Sequence, residues 1–157
     1  MSFASSHDLA ERSGVADLET LPAFQAIVTW YELRTTVRPI LGDRLTTLFA
    51  HAISAGTGSP VCAAFFRRLL EQAGEDPDRP ALDQREAAVV RWGRQLGVDP
   101  YGVPPAMHAD VAAWFSGPQL VALATFGALM VATNVLNSSL ELPVDDYAGP
   151  LRRAEVF

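Results

Sequence analysis

Apolar residues recur at intervals of three and four along almost the whole chain, and no stretch alternates polar and apolar residues as a half-buried strand does. That one pattern restricts the chain to helices packed on helices. Residues 1–20 read as a polar N-terminal segment with one short helix around residues 8–12. Pro22 suits the first position of a helix over residues 22–38, with Phe24, Ile27, Val28 and Tyr31 on one face and Pro39 ending or bending it. Asp43 is the expected N-cap of a second helix reaching residue 55. Its apolar stripe is Leu45, Leu48, Phe49, Ala52 and Ile53, opposite a polar line of Arg44, Thr47, His51 and Ser54.

After the loop Gly56-Thr57-Gly58, Ser59 and Pro60 supply an N-cap and a first helical position. That helix carries Cys62 in its first turn and ends near Gly74. Residues 75–80 (EDPDRP) form a solvated loop. Asp83 and Glu86 have capping-box spacing, opening a helix that Gly97 ends. Pro104 and Pro105 open another, through residue 115. Ser116-Gly117-Pro118 starts a long, very apolar helix to residue 140, and from Pro143 the helical signal fades. The expectation is an all-α, single-domain bundle of about six main helices.

Composition excludes several functions. At 157 residues, 49% hydrophobic and 19% charged, the chain is one globular domain rather than a disordered segment. Its mean hydropathy is slightly positive, which leaves apolar surface for a second subunit and predicts a homo-oligomer. A net charge of −6 argues against nucleic acid, whose binders need a basic face. All twelve basic residues are arginine, so Schiff-base chemistry on lysine is excluded. One cysteine rules out an internal disulfide and a cysteine-rich zinc site. No histidines or carboxylates share ligand spacing on one helix, so neither metal nor cofactor is expected. Residues 1–13 include His7, Asp8, Glu11 and Arg12 and do not resemble a signal peptide. The apolar run 120–132 is shorter than the ~20 residues a bilayer span needs, so a cytoplasmic protein with no membrane contact is expected.

Two stretches carry a family resemblance. One is Leu45-Thr46-Thr47-Leu48, followed by small helical residues, a Gly-rich turn and Ser59-Pro60-Val61-Cys62. The other runs from Thr133-Asn134 through Asn137 and Leu140 to Pro143-Val144-Asp145, and the capped segment LDQREAAVVRWGRQL lies between them. Together they resemble the alkylhydroperoxidase D/carboxymuconolactone decarboxylase family over residues 21–145, leaving 146–157 as a C-terminal tail. Peroxidase members of that family place a Cys-x-x-Cys pair at a helix start. A histidine follows four residues after the second cysteine, and a glutamate precedes the first by twelve. The helix N-terminus acidifies one thiol and the second thiol resolves the sulfenic acid. Carried over one residue at a time, the glutamate is Thr47, the first cysteine Ser59, the second Cys62 and the histidine Phe66. Only Cys62 is kept, so dithiol chemistry is not expected. The resemblance further implies trimers, dimers or hexamers.

The candidate site is therefore His51, Cys62, Ser59 and Thr47. Cys62 is either a small buried hydrophobe or a thiolate favoured by the helix dipole. Ser59 is either an N-cap or a hydroxyl lining a cavity. His51, one turn after Thr47, is either structural or a new partner for Cys62. Asn134 and Asn137 sit on an otherwise apolar helix and need hydrogen-bond partners if buried. Three functions follow. The first is a cofactor-independent lyase, isomerase or decarboxylase acting on a small organic acid, its cavity between the second and third helices and Arg34 or Arg44 pairing the carboxylate. The second is a non-catalytic oligomer that binds a ligand or serves structurally. The third is a one-cysteine peroxide reductase served by an external thiol.

Overall fold

A computed structural model describes residues 32–139, together with Pro22 and Ala26 of the preceding segment. Six helices and no strand occur among the described residues: α1 (Leu33–Leu41), α2 (Asp43–Thr57), α3 (Pro60–Gln72), α4 (Gln84–Val98), α5 (Pro105–Ala112) and α6 (Gly117–Ser139). The all-α expectation holds. The expected helix at 8–12, the face built from Phe24, Ile27, Val28 and Tyr31, and the part of the second family-like stretch beyond residue 139 all lie outside the described residues, as do His7 and Trp30.

α2 is the central helix, packing on α1, α3, α4 and α6. Its stripe is buried as expected: Leu45, Leu48, Phe49 and Ile53 are almost inaccessible, and they join Leu123, Phe126 and Met130 of α6 in one core. Phe49 stacks on Trp92 of α4 with ring centroids 5.5 Å apart and meets Phe126 of α6 at 6.0 Å. Offset aromatic contacts of this kind add to the burial itself.

α2 and α4 run in the same direction and nearly touch. Arg44 meets Glu86 near their N-terminal ends, Phe49 lies over Gly93 in the middle, and Ile53 and Gly56 face Gly97 near the C-terminal ends. A Cβ at Gly97 would fall 2.2 Å from the Ile53 carbonyl oxygen, and one at Gly56 would fall 2.5 Å from that of Arg94. These glycines set the spacing of the crossing.

Several boundaries differ from expectation for local reasons. Pro39 does not end α1, which continues to Leu41 with the proline inside it. Gly42, not Asp43, precedes α2; Asp43 is its first helical residue, and its carboxylate takes the Arg38 guanidinium instead of capping. The negative charge still sits where the helix dipole favours it. Gly97 does not end α4, which reaches Val98. α5 stops at Ala112, short of residue 115. The Asp83/Glu86 capping box forms as expected, with Glu86 N–H donating to Asp83 at 2.8 Å and Asp83 N–H to Glu86 at 3.1 Å. α3 closes in a Schellman turn: Gly74, at φ 78°, donates to Glu71, and Glu75 donates to Leu70. The apolar run of residues 120–132 belongs to a 23-residue helix that is long and apolar enough to cross a membrane, although one side of α6 is buried in the core.

Candidate functional site

α3 begins at Pro60, preceded by Ser59 in the extended conformation of an N-cap (φ −73°, ψ 108°). The backbone does what the Ser-Pro pair predicts, but the hydroxyl does not. Ser59 Oγ makes no capping bond and is buried with no hydrogen-bond partner. It lies close enough to Cys62 to pull that thiol's pKa downward, without the alignment of a regular hydrogen bond.

Cys62 is 2% exposed and belongs to the main apolar core. Asn137 of α6 donates its side-chain N–H to Cys62 Sγ at 3.0 Å. Burial pushes the thiol pKa up, and the contacts with Asn137 and Ser59 oppose that shift. Desolvation of the charged form outweighs both contacts, so the thiol's surroundings disfavour the thiolate. One turn on, Phe66 is buried at the position that the resemblance gives to a histidine, its ring edge-on to Phe65 at 4.9 Å.

A second polar pair bridges α2 and α6. Ser54, expected on the polar line of α2, is fully buried and hydrogen-bonds Asn134 at 3.3 Å. Thr133, beside it, returns its hydroxyl to the Leu129 carbonyl at 2.9 Å. The two buried asparagines of α6 are therefore matched one by one with groups on α2 and α3. Sequence marks both asparagines as needing partners, but not which partners: Asn134 and Ser54 are 80 residues apart, Asn137 and Cys62 75.

Thr47 and His51 do not join this cluster. Thr47 Oγ1 donates to the Asp43 carbonyl at 3.0 Å, an ordinary turn of its own helix. His51 is half-buried, and its charged neighbours are Arg67, Asp78, Arg94 and Glu71. Burial lowers its pKa most, followed by Arg67, so the imidazole is neutral near pH 7. No hydrogen bond joins it to Cys62, whose polar neighbours are Asn137 and Ser59. Of the two arginines suggested for a substrate carboxylate, Arg44 is already engaged by acidic partners. Arg44 bonds Glu75, Glu86 and the Ala81 carbonyl. Arg34 is partly buried on α1, its pKa lowered first by burial and then by Arg38.

His51 carries a pH prediction. Its folded pKa lies below the ordinary value, so the unfolded chain binds the extra proton first. The stabilisation is then complete above about pH 6.5 and fades as pH falls through the folded pKa. Thermal melts between pH 7 and pH 5 should show a falling Tm, and His51→Gln should flatten that limb. A wild-type Tm constant over the interval rules the assignment out.

A cleft of about 600 Å³ opens between α4 and α5, lined by Leu82, Ala87, Arg91, Asp110 and the half-exposed Trp114 among others. None of Thr47, His51, Ser59 and Cys62 lines it. His108 is exposed on α5, and Trp92 is a core residue whose indole N–H has no partner. Among the described residues, no three histidine, cysteine or carboxylate side chains converge as metal ligands do. No protein-family model, curated protein or solved structure matches this chain.

Proposed function

We propose that this chain is a divergent relative of the alkylhydroperoxidase D/carboxymuconolactone decarboxylase family whose redox centre has become helix packing, and that it works without catalysis as an oligomeric ligand-binding or structural protein. The observation that carries this reading is Cys62: 2% exposed, in the apolar core and accepting a hydrogen bond from Asn137. Thiol chemistry needs an accessible thiolate, and burial works against both conditions. Phe66 filling the histidine position and Thr47 bonding within its own helix support the same conclusion.

His51 favours a second reading, a cofactor-independent lyase, isomerase or decarboxylase on a small organic acid. A half-buried imidazole kept neutral has the protonation state that a general base requires. A one-cysteine peroxide reductase has less support, since its thiol would have to be exposed and acidified.

Two assays decide among the three. Hydrogen peroxide consumption in the presence of dithiothreitol should be the same for wild type and Cys62→Ser. Consumption that requires Cys62 would establish the reductase. Proton exchange or decarboxylation across a panel of small carboxylic acids in deuterated buffer, followed by NMR, should match the protein-free rate. Turnover lost in His51→Gln would establish the lyase and end the non-catalytic reading.

A further inference from the structure

α6 has 23 residues and no charged side chain. A helix apolar on all sides is normally buried on all sides. Here one side enters the core through Leu123, Phe126, Met130 and Asn134, while Val121 and Val135 on the other remain 67% and 59% exposed. Between them Ala124, Ala128 and Ala132 are exposed too. These five form one stripe with intervals of three and four, the spacing of a helix–helix seam.

The stripe is symmetric. Val121 and Val135 each lie seven residues from Ala128, and Ala124 and Ala132 each lie four. Ala128 is also the midpoint of the helix. Two copies of α6 laid antiparallel about a two-fold axis at Ala128 therefore bring Val121 against Val135 and Ala124 against Ala132 on both sides of the axis. An isologous contact requires that reciprocity. The small alanines allow the axes to approach to about 8 Å, and antiparallel packing opposes the two helix dipoles. An occupant bearing charge would leave it desolvated against this face. Each of α1 to α5 carries charged side chains whereas α6 carries none, so a second α6 meets this face without burying a charge on either side.

We propose that the exposed stripe of α6 is a homodimer seam, two copies pairing antiparallel with Ala128 on the two-fold axis. This names the partner surface for the oligomer of the preceding section and does not depend on whether the chain is catalytic.

Light scattering after size exclusion should give wild type twice the chain mass, and Val121→Glu/Val135→Glu the single mass with unchanged circular dichroism, because both sites are exposed in the folded subunit. A second measurement reads the geometry. Under a mild thiol oxidant Ala128→Cys should cross-link to itself at least tenfold more than Val121→Cys or Val135→Cys, while a mixture of the latter two should cross-link to each other. Equal self-linking by all three would mean a parallel pair and overturn the two-fold at Ala128. An oligomer that survives both glutamates overturns the seam yet leaves the proposed oligomer standing; a monomeric wild type ends both. A monomer that floats with neutral lipid vesicles would assign the face to a bilayer instead.

Discussion

Gly97→Ala should destabilise the fold by about 3 kcal/mol, although alanine is intrinsically the better helix former by about 1 kcal/mol. The new Cβ would meet the Ile53 carbonyl oxygen at 2.2 Å, the Thr57 nitrogen at 2.8 Å and the Gly56 Cα at 2.9 Å. All three are backbone atoms, and none can rotate aside. α2 and α4 must separate, and the separation loosens the core around Phe49 and Ile53 that depends on their closeness. Urea unfolding measures the loss. Gly117→Ala, at a helical glycine with nothing within 4 Å, is the matched control and should be neutral or slightly stabilising. A Gly97→Ala protein as stable as that control would mean that the crossing is looser in solution.

Gly97 also shows where sequence stops being informative. A glycine after the last apolar position of a helix reads as its terminator, and that logic is sound for an isolated helix. It fails here because the close approach comes from α2, about forty residues earlier in the chain. The same limit applies to the site. Local signals are legible: the Asp83/Glu86 capping box, the Ser59-Pro60 helix start and the buried stripe of α2 each depend on neighbours within four residues. What Ser54 and Cys62 do depends on α6, and nothing in the spacing along α2 or α3 reports how α6 lies across them. Ser54 reads as polar-face because its own helix gives no other information; Asn134 takes it inside. His51 follows the register of Thr47, but its surroundings are set by Arg67 and Asp78 of a different helix and loop.

Cys62 links the fold to the function, and its modification rate should report both. A thiol 2% exposed and tied to a helix 75 residues away reacts only when the core opens. With domain stabilities of about 5 kcal/mol or more, the open fraction is below about one in a thousand. Labelling of native protein by an aromatic disulfide should therefore be slowed at least about a thousandfold relative to protein in urea. If that opening is global, Gly97→Ala should accelerate native labelling by about a hundredfold, since about 3 kcal/mol corresponds to roughly two decades in the open fraction. Local fraying of α3 would leave the rate insensitive to Gly97, which acts on α2 and α4. We expect the global response, because the first turn of α3 is held by the same core as the rest of the bundle. Native labelling within about tenfold of the unfolded rate would instead mean an accessible thiol, and with it the one-cysteine chemistry that the burial of Cys62 argues against.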